Sequence, residues 1–473
     1  MMAHAVILGH QGVVDPGDDQ GRFKQLFELA GGPIRLIDDH RLVRIAEKGL
    51  KVQFFLMVAS LLFSLSGCGS VAISGRGNLI GVPAIKSVQT AAQLDVTLAT
   101  LPALHSFTGT AQCDVTVTQI NYQTPGVQPG EMSNASAALL VPGGARCPPG
   151  PHPLIAYARG TAVDKAHTNA DASLPETQVL MILFAAQGYA VVATDYLGYA
   201  LSGYPYHPYM HADTAASVVI DSIRAARNAA PALGLALNGK VMLTGFSQGG
   251  HAAMAAQRAI EQQNSGEFNL VAAAHLAGPY AVSQALIDGV SHPIGGVQAL
   301  MPFQITSWQK IYGNVYAKAS DVFNAPYDGV IETLLPIVNP ADLAKLPGGT
   351  LEQAMHAMFK PAYLADLANN PANGTIIAAK KQNLFGWNPK APITLCASKA
   401  DPVVKFFNAQ MAFDDFASRG ATNVSLVDVD AKISETFGSV LASDPLAYLT
   451  AYHGTYEAQF CTQVAKAFFD LHK

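Results

Sequence analysis

The stretch from Lys240 to His251 constrains this chain more than any other. Val241 to Leu243 form the core of a buried strand. Ala252, Ala253, Ala255 and Ala256 give the following helix a face of small side chains for close packing on a sheet. Between them, Gly245-Phe246-Ser247-Gln248-Gly249 must reverse the chain within a few residues. The G-x-S-x-G spacing has a steric cause. The turn is so tight that the residues two before and two after the serine lie almost against each other, and only a hydrogen fits as the side chain at both. The serine is then held in a strained backbone conformation with its hydroxyl above the sheet, the geometry of a nucleophile elbow.

The rest of the chain can support such a turn. Its 473 residues are 50% hydrophobic and 13% charged, enough to bury a large core and too apolar for disorder. The net charge of −5, with no basic block, excludes a nucleic-acid partner. The body carries no apolar run of about 20 residues, which excludes a polytopic membrane protein.

The N-terminal region reads as an export signal. Lys48 and Lys51 precede a short apolar run, Val52 to Leu65, that ends in Leu65-Ser66-Gly67-Cys68. This ending resembles the lipobox of bacterial lipoproteins, which implies that Cys68 becomes the lipidated first residue of the mature chain. Gly69 follows in place of the acidic residue associated with inner-membrane retention, and by the same resemblance an outer-membrane anchor is favoured, with an ordinary secretion signal and a chance cysteine as the alternative. Residues 1–49 stand in front of a signal that belongs at the start. They read as a non-native upstream extension, with initiation near Leu50, so residues 50–68 form the signal peptide; an unusually long n-region is the competing reading. Removing Cys68 leaves Cys113, Cys147, Cys396 and Cys461, an even number in an oxidising compartment. Cys113 and Cys147 bracket a hairpin, while Cys396 ends a late strand and Cys461 lies on the last helix. The expected disulfides are therefore Cys113–Cys147 and Cys396–Cys461.

Residues 69–112 show weak periodicity and read as a tether followed by an irregular segment; the folded body is expected from Cys113. Val115 to Ile120 alternates as a half-exposed strand, and Ala135 to Val141 can pair with it. Apolar strands then follow at Leu154–Ala158, Tyr189–Thr194, Val241–Phe246, Leu270–Leu276, Ile393–Cys396 and Val424–Val429. Helices are expected at Glu176–Gln187, Ala212–Ala230, Gly249–Gln263, Val404–Ser418 and Tyr456–Leu471. Alternating strands and helices imply an α/β class, a mainly parallel sheet covered on both faces. The antiparallel opening hairpin followed by βα units is the order of an α/β-hydrolase, with its core at 113–281 and 390–473. Residues 282–389 exceed what a crossover needs and read as a helical cap or lid insert. An insert with a small core of its own is the alternative.

A serine hydroxyl is a poor nucleophile until a base takes its proton, and the base works best when a carboxylate fixes its tautomer. In this architecture the acid and then the histidine follow the serine in the chain. Asp401 stands just past a strand at the start of a helix, where a loop carries a carboxylate to the sheet's C-terminal edge; a helix N-cap is its structural alternative. His453 lies between the last strand and the closing helix. Asp428 and Asp430 could supply the acid instead. His251, four residues past the serine, points along its helix and reads as structural. His207 and His211 have a metal-compatible spacing, but Pro208 follows directly and no third ligand is near, so no metal is expected. Gly75-Arg76-Gly77 lacks the strand–turn–helix surroundings of a dinucleotide site. An oxyanion needs two donors. The backbone N–H of Gln248 is one, and the loop Tyr157-Ala158-Arg159-Gly160-Thr161 offers the second at Thr161, with Gly160 next.

Several blocks together resemble the secretory-lipase-like family of α/β-hydrolases. They are Tyr157 to Thr161, Thr194-Asp195-Tyr196-Leu197-Gly198-Tyr199, Gly203 to Tyr209, Gly245 to His251 and Ala277-Gly278-Pro279-Tyr280. The resemblance runs over about 150–282 and 391–471. Members often carry His-Gly-Thr where this chain has Arg159-Gly160-Thr161. The resemblance implies hydrolysis of carboxylic esters with an acyl chain, without a cofactor. A serine peptidase on the same fold and a non-catalytic surface-binding lipoprotein are the competing readings.

Overall fold

The structure, a computed structural model, describes residues 75–100, 102–334 and 340–473. The upstream extension, the signal peptide and Cys68 lie outside the described residues. Among the described residues, nine strands run through Ala84–Gln89 (β1), Asp114–Pro125 (β2), Met132–Gly143 (β3), His152–Ala158 (β4), Ala190–Tyr196 (β5), Leu237–Phe246 (β6), Asn269–Leu276 (β7), Ile393–Ala397 (β8) and Val424–Asp428 (β9). They form one sheet in the order β1-β2-β3-β5-β4-β6-β7-β8-β9. β1, β2 and β3 pair antiparallel, and β3 joins β5 in the same sense. From β5 to β9 every pairing is parallel. This is the α/β-hydrolase fold.

Strand periodicity explains why the sheet is doubly covered. Along β4, Leu154, Ala156 and Ala158 face one apolar core while Ile155 and Tyr157 face the other. β5 alternates in the same way, with Ala190 and Val192 on one side and Val191 and Ala193 on the other. A strand with both faces buried reads as a continuous apolar run, which is why these segments are recognisable in the sequence. Helices Ala212–Ala229, Gln248–Gln263 and Phe407–Ser418 supply residues to the first core. Pro175–Leu183 and Ala458–Asp470 supply the second.

Residues 84–108, expected to be irregular, contain a strand and two helices. β1 adds an antiparallel edge to β2. Thr90 and Gln93 close a capping box on helix Ala91–Ala99, which buries Leu94 and Leu98. Helix Ala91–Ala99 buries only Ala91, Leu94 and Leu98, too few anchors for a clear period, so only packing reveals it. The folded body therefore begins before Cys113. The segment Glu176–Gln187 is an α-helix over Pro175–Leu183 followed by a 3-10 turn, Ala185–Gln187, that ends at left-handed Gly188. Helices Asp430–Ser443 and Pro445–Ala451 precede His453 where the sequence suggests only a connection.

The insert is helical, with Val282–Ser291, Val297–Tyr312, Leu351–Met358, Pro361–Asn369 and Gly374–Lys381 as its main helices. It has a core of its own, built from Phe303, Ile305, Trp308, Phe323, Met358 and Phe359. Tyr209 and Met210, from the segment before helix Ala212–Ala229, enter the same core. Both bonds expected between cysteines are present, Cys113–Cys147 and Cys396–Cys461. The first closes the base of the β2–β3 hairpin, whose last register pair is Asp114 with Gly143.

Candidate active site

The site begins where β6 ends. Ser247 follows Phe246 with φ 59° and ψ −120°, a left-handed conformation that costs a non-glycine residue on the order of 1–3 kcal/mol. Its neighbours explain how the strain is imposed. A Cβ on Gly249 would collide with the Ala158 carbonyl, and one on Gly245 with the carbonyls of Gly249 and Ala158. The Ser247 N–H is tied to the Leu276 carbonyl of β7 at 2.9 Å. The serine therefore cannot relax without moving β4, β6 or β7.

Two other chain segments reach this hydroxyl. His453 Nε2 lies 2.9 Å from Ser247 Oγ, and His453 Nδ1 lies 2.7 Å from Asp401 Oδ2. Asp401 comes from the loop after β8. Its Oδ1 accepts the Val403 N–H at 2.8 Å, an Asx turn that leaves Oδ2 for the imidazole. The expected helix Val404–Ser418 starts only at Phe407, because residues 401–406 are spent on this loop, so Asp401 is not an N-cap. His453 sits in a six-residue π-helical turn, Tyr452–Glu457, fused to the closing helix. Its place is thus inside the helical segment rather than ahead of it. Such π turns widen the helix and recur at functional sites.

Electrostatics follow from burial. Burial opposes the charged imidazole of His453, but the adjacent Asp401 carboxylate outweighs this and holds its pKa above the ordinary value. Burial would raise Asp401, yet the His453 partner and the hydrogen bonds to it keep the carboxyl below the ordinary range. One participant has no counterpart in the sequence reading. Glu457, fully buried, places Oε2 3.5 Å from His453 Nδ1. Its only sequence signal is a carboxylate four residues after a candidate histidine, a spacing that places both on one side of a helical turn.

The other residues sort clearly. Gln248 opens helix Gln248–Gln263, so its N–H belongs to the first turn, which has no acceptor within the helix. Thr161 and Gly160 line the same cavity as Ser247 and His453. The Gly160 N–H is donated to Glu176 Oε1 at 3.0 Å, which leaves Thr161 as the open candidate in that loop. Thr161 Oγ1 is 2.9 Å from the Tyr209 hydroxyl. Asp428 pairs with Lys399, and Asp430 accepts from Tyr452 and Ser398, so neither meets the imidazole. His251 is buried against the Gln382 carbonyl at 2.8 Å. His211 bonds to Thr214. Arg76 pairs with buried Asp221.

His207 has a use that the sequence did not suggest. Burial and the nearby Arg159 charge push its pKa down to about 3, so it is neutral. Nδ1–H donates to the Leu197 carbonyl at 3.0 Å, and Nε2 accepts the Gln248 side-chain amide at 2.6 Å. The Gly203–Tyr209 block thereby braces the residue after the serine. The Asp195–Tyr196 block braces the facing loop, since the Tyr196 hydroxyl donates to the Arg159 carbonyl at 2.8 Å. Arg159 is itself buried, its guanidinium 4.4 Å from the Tyr199 ring centre.

Around these groups lies a cavity of about 660 Å³. Ser247, His453, Gln248 and Thr161 are among its polar lining. Its apolar lining comes from both layers, including Leu180 and Phe246 of the core and Leu286, Val297, Leu300 and Met301 of the insert.

The model of the secretory lipase family matches residues 166–297. The rice cell wall degrading esterase LipA from Xanthomonas oryzae, in a ligand-bound form, is 35% identical. That match covers 84% of this chain and 100% of the LipA chain, with a TM-score of 0.74. The chain belongs to the secretory lipase family. Lipase A from Candida antarctica, at 16% identity, 77% coverage of this chain and 80% of its own, shares the fold with a TM-score of 0.50. No curated protein sequence matches the chain. Membership of the secretory lipases places this protein among the carboxylic ester hydrolases.

Proposed function

We propose that this secretory lipase family member is an exported serine esterase that works through an acyl-enzyme. Ser247 attacks the ester carbonyl, His453 takes the hydroxyl proton and returns it to the leaving alcohol, and Asp401 orients and stabilises the imidazolium. The backbone N–H groups of Gln248 and Thr161 hold the oxyanion. The hydrogen-bonded chain from Ser247 Oγ through both nitrogens of His453 to Asp401 Oδ2 carries this reading. Water deacylates the enzyme by the same route in reverse, and no step calls for a cofactor.

The apolar cavity supports an ester with an acyl chain, its carbonyl at Ser247 and its tail between core and insert. Residues 282–389 act as the cap over that tail. The disulfides support an oxidising compartment, and the Leu65-Ser66-Gly67-Cys68 ending supports anchoring through a lipidated Cys68. The deciding measurement is turnover of p-nitrophenyl esters from acetate to palmitate by the wild type and Ser247→Ala. The wild type should hydrolyse a range of chain lengths, and the variant should lose at least about a thousandfold in kcat. A wild type inert on every ester would instead support a binding protein. Mass spectrometry of the mature protein should show a diacylglyceryl group on Cys68; an unmodified cysteine removes the anchor.

A further inference from the structure

Glu457 stands in an unusual place. Its carboxyl is fully buried, and among the described residues neither oxygen has a partner of hydrogen-bond geometry. A polar atom from each of Asp401, His453 and Glu457 lies within 4.8 Å of the other two. Tyr280, after β7, is a further titratable group near enough to feel the Glu457 charge. Two carboxylates crowded this closely away from water cannot both be ionised, because their repulsion is unscreened and each has lost its hydration. Asp401 keeps the charge, since it holds both the imidazole at 2.7 Å and the Val403 N–H at 2.8 Å. Glu457 lacks comparable stabilisation, and burial raises its pKa well above the ordinary carboxyl value.

We propose that Glu457 is a positioning residue of this site: it remains a neutral acid at neutral pH and donates its proton to Asp401, fixing the carboxylate that orients His453. The bond requires the Glu457 carboxyl to turn toward Asp401, whose nearest oxygen lies within 4.8 Å, and each Asp401 oxygen retains a lone pair to accept it. The π-helical turn is what makes the arrangement possible, because it carries His453 and Glu457 together over the Asp401 loop. The donated proton also spreads the Asp401 charge. This role deepens the serine-esterase reading and rests on it only for its kinetic consequences.

The first test needs no catalysis. In the full chain labelled with 13C at glutamate carboxyls, the Glu457 signal, assigned by its loss in Glu457→Gln, should have the chemical shift of a protonated acid at pH 7. An ionised carboxylate there overturns the proposal, whatever the enzyme does with esters. The second test is kinetic. Glu457→Gln keeps a neutral donor and should retain kcat within a few-fold. Glu457→Leu removes the donor at similar volume and should lower kcat roughly tenfold to a hundredfold with KM little changed. It should also move the acid limb of the kcat/KM profile to higher pH. A Leu variant with the wild-type profile, or a Gln variant as impaired as the Leu one, overturns the proposal. Failure of the wild type to hydrolyse any ester would sink the esterase reading alone, leaving the carboxyl signal to decide this one.

Discussion

Asp401 divides its two oxygens between two tasks, and that division sets what a substitution there does. Oδ1 shapes the loop through the Val403 N–H, and Oδ2 meets His453. Asp401→Asn keeps the volume and the loop but replaces the charge, so His453 loses both its tautomer control and the field that favours imidazolium. On the proposed mechanism kcat falls by about three to four orders of magnitude, measured on a short-chain p-nitrophenyl ester. The pH dependence has a definite sign. The base must be neutral to take a proton, and Asp401 holds its pKa above that of free imidazole. The wild-type kcat/KM should therefore rise with pH through an acid limb above about 6.5, and Asp401→Asn should move that limb down. A limb that stays in place in Asp401→Asn would count against Asp401 as the source of the field. The glycine at 249 is equally constrained. Gly249→Ala drives a methyl into the Ala158 carbonyl, so soluble protein should be lost or a folded remnant should lack activity, as read by thermal melting and ester turnover.

At the scale of elements, the insert and the core divide the cavity between them. Helix Val282–Ser291 contributes Leu286, and helix Val297–Tyr312 contributes Val297, Leu300 and Met301, to the same lining as Leu180 and Phe246. Met301 is also buried in the insert's own core, so it links tail binding to the stability of that layer. Leu286→Trp fills part of the tail space without touching the triad. It should shift the preferred acyl chain toward shorter esters, lowering kcat/KM for palmitate roughly tenfold or more while leaving acetate within about threefold. A parallel loss on acetate and palmitate would place Leu286 outside the path of the tail. Helix Ala458–Asp470 has a second role. Cys461 on this helix bonds Cys396 at the end of β8, so the element leading to Asp401 and the element following His453 are covalently joined.

For the whole molecule that staple matters more than the other one. It closes a 65-residue separation, against 34 for Cys113–Cys147. Loop-closure entropy gives each bond about 4 kcal/mol, with the longer loop slightly ahead. Cys461→Ser should therefore lower unfolding stability by about 4 kcal/mol in a denaturant titration, and it should also reduce kcat, because the join holds the acid's loop to the histidine's helix. Cys147→Ser should cost similar stability while sparing kcat.

The sequence alone determined the α/β class, the mainly parallel sheet and the tight turn at Ser247. Local causes suffice for these: doubly buried strands are runs of apolar residues, and a turn that admits only glycine at two positions announces itself. It also ordered a serine, an acid and a histidine along the chain. Tertiary structure decided everything that depends on approach between distant segments. The strand and helices before Cys113 carry too few apolar anchors to show a period, and only packing against β2 and the second core makes them regular. His207 reads as half of a histidine pair until β5 and the elbow bring its ring against Gln248. Glu457 is one more helical glutamate until a π turn swings it over Asp401, where burial and then a carboxylate 56 positions away push its pKa up. Charge and burial act through distance in space, and a linear order of residues does not contain that distance.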